Sequence, residues 1–271
     1  MSRTSRGAAL VAAVLAVAGC STVPSSSPTV PITQVPARPD TEVGIEPLAP
    51  EPGASPEEIV SGFIDAAAST GRRHPVARQH LAPAVAEDWD DAAGITVIES
   101  GFSTVTTAAG VVRMTARTVG TVDQRGIFAV GGEVLTREYT AEQVEGEWRI
   151  TNPQDGLVIV QPDFERVYDR LDAFFLDPTG ERVVPDPRYL ITGEAQPTVL
   201  VERLFDGPSP MLRDGVRNPL DGLSLRRAVT VEGSTATVDL TGVPPDSDPP
   251  LSDISAQLVW TLEQGGVRSV E

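Results

Sequence analysis

Cys20 has the most specific chemistry in the chain, and it is the only cysteine. It follows Val17-Ala18-Gly19, so a hydrophobic residue and two small residues stand directly before a lone thiol. That spacing is a bacterial lipobox. A thiol so placed accepts a diacylglycerol, the peptide is cut between Gly19 and Cys20, and the new amine can take an N-palmitoyl group. Arg3 and Arg6, then the apolar run Gly7 to Ala18, give residues 1–19 the form of a signal peptide. The run is too short to span a bilayer as a mature helix.

Three further groups carry polar chemistry. Arg72, Arg73, His74 and Arg78 make a local cationic patch. Such a patch holds a partner's carboxylate or phosphate, or pairs with the chain's own acids at a helix end, the commoner arrangement. Trp89-Asp90-Asp91 reads either as an acid against an apolar wall, poised as a general base, or as a core tryptophan followed by capping aspartates. No second polar partner stands at a fixed spacing from it, which favours the structural reading. Asp246-Ser247-Asp248 starts like a calcium loop but breaks at Pro249-Pro250, without the turn glycine or distal glutamate, and reads as a plain loop. His74 and His80, the two histidines, lie six apart on an expected helix and so on different faces, which argues against zinc. Serine-hydrolase, P-loop, dinucleotide and zinc-protease motifs are missing. The expectation is a non-enzyme with no cofactor and no metal.

Charge excludes other classes. The net charge is −17, every side-chain cation except histidine is arginine, and 38 acids face 21 basic residues. Nucleic-acid backbones need clustered cations, and so does a polybasic membrane contact. Attachment to a membrane must therefore come from lipid, stably so with two or more acyl chains. With Cys20 lipidated, no disulfide remains.

The elements that position these groups follow in order. Residues 20–55, rich in proline and serine, read as an extended tether with a reach of roughly 30 Å as a coil. Ser55-Pro56-Glu57-Glu58 is a capping box. Behind it Ile59, Val60, Phe63, Ile64 and Ala67 share a helical face, with Gly71 as the expected stop. A second helix is expected over His74 to Leu81. The period then changes to two: Thr96–Val105, Val111–Thr121, Gly126–Glu133, Thr136–Val144 and Glu147–Ile150 read as strands, with a tight turn at Glu145-Gly146. Helices followed by a meander suit a nuclear-transport-factor-2-like cone over residues 56–162.

Residues 163–271 read as a second small α+β unit. Phe164 to Leu171 is an amphipathic connector, and strands Ala173–Leu176 and Glu181–Val184 flank Asp177-Pro178-Thr179-Gly180. A helix runs from Pro197 to Gly207-Pro208, and strands Leu223–Val231 and Thr235–Leu240 pair. A last helix, capped by Ser252 or Asp253, buries Ile254, Leu258, Val259 and Leu262. Trp148, Trp260 and Phe174-Phe175 are expected in the core. Val267–Glu271 begins a strand, so the unit is expected to be incomplete at its C-terminus. The fold class is thus α+β, with two domains behind a signal peptide and tether.

Several of these stretches resemble actinobacterial LpqB lipoproteins. They are the lipobox with Thr22-Val23-Pro24-Ser25-Ser26-Ser27, Arg73-His74-Pro75-Val76-Ala77-Arg78-Gln79, Trp89-Asp90-Asp91, Asp177-Pro178-Thr179-Gly180 through Val183-Val184-Pro185-Asp186-Pro187-Arg188-Tyr189, and Gln257-Leu258-Val259-Trp260-Thr261-Leu262. The resemblance implies a GerMN domain as the second unit and a following β-propeller-like region, which is expected to be missing here. It also implies an anchored, extracytoplasmic, non-catalytic accessory protein. Its implied partner is an MtrB-type sensor histidine kinase, and its implied setting is envelope homeostasis. Arg72, Arg73 and Arg78 are then candidate partner contacts. The alternatives are a module binding a cell-wall fragment or small ligand, and an enzyme built on the first domain.

Overall fold

The computed structural model describes residues 47–243 and 250–271. Residues 1–19, Gly19 and Cys20, the tether up to residue 46, and Asp246-Ser247-Asp248 lie outside the described residues.

Helix α1, Pro56–Ala66, starts where the capping box sets it: Ser55 Oγ accepts from Glu58 N–H, and the Glu58 carboxylate accepts from Ser55 N–H at 2.7 Å. It stops at Ala66, five residues before Gly71, because the chain turns to bury Ala67 and Ala68 in the core. The expected helix at His74–Leu81 is one short helix, α2, Pro75–Gln79, and the unforeseen α3, Pro83–Ala86, follows. Prolines open both, and Leu81 between them bridges to Ile150.

The first sheet is organised on one long strand. The strands are β1 (Ile95–Ile98), β2 (Ser103–Ala108), β3 (Val111–Val122), β4 (Phe128–Val130), β5 (Val134–Val144), β6 (Glu147–Ile150) and β7 (Leu157–Val160). Their order is β6-β5-β3-β1-β7, with β2 and β4 also flanking β3. The expected strand Thr96–Val105 is therefore two. The β1–β3 register shifts between Val97 and Ile98, the chain steps off the ladder, and β2 rejoins β3 further along. Alternation on β3 buries Val112, Met114 and Ala116 and leaves Arg113 and Arg117 outside. Those inward residues meet Ile59, Val60, Phe63 and Ile64 of α1 in one core. Glu145 and Gly146 both take positive φ, 54° and 87°, as a tight hairpin turn requires. Strand β7, Leu-Val-Ile-Val, escapes the sequence reading because it does not alternate. It pairs parallel with β1, and Leu157, Val158 and Ile159 are all buried.

Helix α4, Gln161–Val167, leads into the second module, where β8 (Tyr168–Leu176) and β9 (Val183–Ile191) form a nine-residue antiparallel hairpin. The sequence predicts half that length, because Pro185 and Pro187 lie inside β9. Both prolines sit at positions whose nitrogens face away from β8, where no ladder donor is needed. Tyr189, at the same parity, sends its N–H outward to Gly126 O at 2.8 Å. The outer edge of β8 is closed by side chains. Phe174 N–H donates to Thr261 Oγ1 at 3.1 Å, and Asp172 N–H to Gln264 Oε1 at 2.8 Å. Unpaired edges invite association, and here both are used internally.

Helix α5 spans Gln196–Phe205. The pair expected at Leu223–Val231 and Thr235–Leu240 forms in two interrupted pieces. These are β10 (Ser224–Leu225) with β13 (Leu240–Thr241), and β11 (Thr230–Glu232) with β12 (Thr235–Thr237). Helix α6, Leu251–Glu263, has Pro250 at its N-cap with no side-chain cap. Ser252 does not cap it, and Asp253 instead pairs with Arg217 at 2.7 Å. The helix buries Ile254, Leu258 and Leu262 but leaves Val259 and Trp260 exposed, so these two are not core. Strand β14, Ser269–Val270, pairs parallel with β12.

The described residues, 47–243 and 250–271, fall in one compact unit. Phe128, Phe164 and Tyr168 pack around Tyr189 or each other with ring centroids 4.9 to 5.3 Å apart. Arg203 Nη1 reaches Gln124 O at 3.2 Å across the same seam.

Candidate functional site

The fold gathers two of the sequence-nominated stretches into one cluster. His74 Nδ1 donates to Asp91 Oδ2 at 2.7 Å, and Arg78 Nη2 donates to Asp91 Oδ1 at 2.8 Å. The Arg78 guanidinium also donates to Trp89 O at 2.9 Å, to Arg73 O at 2.7 Å and to Ala86 O, and lies 5.0 Å over the Trp89 ring. Trp89 is buried against Phe63, and its Nε1–H donates to Gln154 O at 3.0 Å. Asp90 accepts from Ala92 N–H at 3.0 Å, a local cap.

Backbone geometry sets up this meeting. Arg73 and His74 hold φ values of 63° and 42°, in the left-handed region that L-residues avoid. The strain is held by the contacts His74 makes to Asp91 and the start of α2 behind it. Burial alone would raise the Asp91 carboxyl. The bond from His74 and the charges of His74 and Arg78 outweigh it and leave the group below its usual range. Burial pushes the nearby Tyr168 hydroxyl up to about 12, with the Asp91 charge adding to it.

Chemically the cluster is a latch. A His–Asp pair resembles the base half of a triad, but Asp91 is shared with Arg78, and His74 Nε2 is buried with no hydrogen-bond partner among the described residues. Among the described residues no hydroxyl or thiol hydrogen-bonds to that nitrogen. Arg78 is enclosed by its partners. Arg72 and Arg73 remain exposed, and among the described residues the Arg73 side chain makes only an open pair with Glu87 at 3.5 Å. His80 stands apart from His74, buried, with Nδ1 3.2 Å from Val76 O. Among the described residues no three His, Cys, Asp or Glu side chains gather as a metal site, and no helix is long and apolar enough to cross a membrane.

His80 gives a pH test. Burial lowers its pKa from the ordinary value of 6.5, and the Arg149 charge adds to that. In the unfolded chain it titrates near 6.5. As pH falls through that value the unfolded state takes a proton that the folded state refuses, so stability is full above the unfolded pKa and declines toward the folded one. We expect the urea midpoint to fall between pH 7.5 and 5.5, with a loss of at most about 1.4 kcal/mol per pH unit. The His80→Gln variant should show a shallower slope; an unchanged slope would refute this assignment.

The second module holds features the sequence does not announce. Arg188 is fully buried and pairs with buried Asp186 at 2.8 Å. Asp186 Oδ2 accepts Ser209 N–H at 2.6 Å, and Arg188 Nη2 donates to Gly207 O at 3.3 Å, fastening the exit of α5 to β9. The Pro185–Arg188 stretch is therefore a structural staple. A cleft of about 600 Å³ opens in the same module between the start of α5, β11 and the end of α6. A second, of about 720 Å³, lies where residues 47–54 pass α1, with Asp65 and His80 on its wall.

Comparison with known proteins fits this two-part build. Residues 49–165 match the family described as Lipoprotein LpqB, N-terminal domain, and residues 172–271 match the one described as Sporulation and spore germination. The Lipoprotein LpqB of Rhodococcus jostii (strain RHA1) is 33% identical over 97% of this chain and 46% of its own length. Those of Cutibacterium acnes and Mycolicibacterium smegmatis are each 34% identical, over 94% and 95% of this chain and 42% and 46% of their own lengths. The chain thus spans about half the length of the curated relatives it matches, whose names are those of lipoproteins and state no enzymatic activity. No solved structure gives a significant match. Two family matches in the same order as the two packed modules, with a third of the residues shared along nearly its whole length, place this chain in the LpqB lipoprotein family.

Proposed function

We propose that this protein is a lipid-anchored, non-catalytic accessory lipoprotein on the extracytoplasmic face of the cell membrane. The observation that carries this reading is the lipobox Val17-Ala18-Gly19-Cys20 behind a charged and apolar leader. The lipoprotein names of the relatives support it. Signal cleavage leaves Cys20 first, with an S-diacylglycerol and an N-palmitoyl group as the anchor. The proline- and serine-rich stretch up to residue 46 then spaces the folded unit from the bilayer. The unit works by contact with a protein, in this reading the extracytoplasmic part of an MtrB-type sensor histidine kinase. Exposed Arg72 and Arg73 offer cations to that partner's carboxylates, while Arg78 holds the Asp91 latch.

The Cys20→Ala variant should lose alkyne-fatty-acid labelling and move from the membrane to the soluble fraction, because no other thiol can accept the diacylglycerol. Labelling equal to wild type would defeat the anchor. In a second arm, the lipidated protein is captured on the immobilised extracytoplasmic part of the kinase. Failure there, with labelling intact, would remove the partner and leave the anchor standing.

A further inference from the structure

We infer that the cleft of the second module is a docking site for an extended, positively charged peptide segment of a protein partner, which adds as a strand to the free edge of β11. Sheet order is β11-β12-β14, so among the described residues β11 pairs on one side only. Glu232 and Thr235 close a two-residue hairpin loop. The ladder bonds therefore fall on the Glu232–Thr235 and Thr230–Thr237 pairs, and the N–H and C=O of Val231 point away from β12. Val229, at the same parity, shows where that edge looks: its N–H donates to Thr198 Oγ1 at 2.9 Å, and its C=O accepts from that hydroxyl at 3.5 Å. One hydroxyl of α5 thus closes the edge at Val229. At Val231 the edge opens beside the cleft, and its N–H and C=O have no partner among the described residues.

The cleft has the form such a guest needs. Leu171, Leu200, Leu262 and Val267 supply apolar lining for one inserted side chain. Among the described residues the charged ones lining it are Glu194 and Glu232, both exposed, with no arginine beside them. A guest therefore gains from an apolar residue flanked by basic ones. Backbone pairing supplies affinity, and the apolar lining with the two carboxylates selects the sequence. The inference stands on the cleft alone and does not need the lipid anchor.

The test uses the full lipidated chain in detergent micelles and two blocked hexapeptides, one alternating valine with arginine, the other valine with glutamate. The arginine peptide should bind and slow amide exchange at Val231, and the glutamate peptide should bind at least about tenfold more weakly. Val231→Pro removes the outward N–H without touching a ladder bond and should weaken the arginine peptide by about tenfold. Should that variant fail to fold, Glu194→Gln with Glu232→Gln serves instead and should level the two peptides. Equal binding of both peptides to wild type, or undiminished binding to Val231→Pro, would overturn the inference. So would binding of a soluble peptidoglycan fragment with no binding of either peptide, which would give the cleft to wall fragments.

Discussion

Arg188→Met should cost about 3–5 kcal/mol of folding stability, read as a lower urea midpoint, because it strands a buried carboxylate. Asp186 is 2% exposed, and Arg188 is its only cationic partner among the salt bridges of the described residues. Methionine keeps much of the volume but cannot neutralise the charge or donate to Gly207 O. The Ser209 N–H that remains on Asp186 is one hydrogen bond, too little to offset desolvation of an ion. Asp186→Asn combined with Arg188→Met removes both charges and should recover more than half of the loss. Recovery separates a charge effect from a packing effect, since the double variant packs no better than the single one. A loss below about 1 kcal/mol in Arg188→Met would mean that water or relaxation solvates Asp186, and that the staple is not one.

Gly126→Val should disengage the two modules. Gly126 holds φ at 79°, and a β-carbon there would stand 2.9 Å from Tyr189 O and 3.3 Å from Tyr189 N. A β-branched residue is strained at that φ before any clash is counted. The substitution also drives off the Tyr189 N–H that Gly126 O accepts at 2.8 Å. The combined cost is about 2–4 kcal/mol, concentrated at the seam. Amide exchange at Tyr189 should accelerate, while exchange at Val112 and Met114, in the middle of β3, stays slow. Exchange at Tyr189 as slow as in the wild type would show that the seam tolerates a side chain and that the modules are held elsewhere.

The sequence by itself determined whatever depends on near neighbours along the chain. The capping box at Ser55–Glu58 fixes where α1 starts, since its four groups lie within one turn. Glu145-Gly146 fixes a hairpin, and strict alternation fixes the inward face of β3. The lipobox is likewise local chemistry, complete within four residues. The α+β class, and its division between a helix-then-meander module and a second mixed one, follow from the periods alone.

Only the tertiary structure decided matters that depend on what lies on the far side of a strand or helix. The length of β9 was hidden because a proline is read as a strand breaker, and only the pairing parity shows that Pro185 and Pro187 need no donor. Strand β7 was hidden because a strand covered on both faces does not alternate. Trp260 and Val259 carry no mark of exposure in the sequence, because which stripe of α6 meets the core is set by β8, whose Ala173 and Phe175 share a core with Ile254, Leu258 and Leu262. The candidate site divides the same way. The residue types of His74, Arg78 and Asp91 were legible as chemistry, but their meeting on one carboxylate joins positions 17 and 13 residues apart through a strained turn. The edge at Val231 was not legible at all, because whether a backbone N–H is free depends on its partner strand and on Thr198, 31 residues away from Val229. Local sequence sets which conformations each segment can adopt; long-range pairing sets which polar groups are left for a partner.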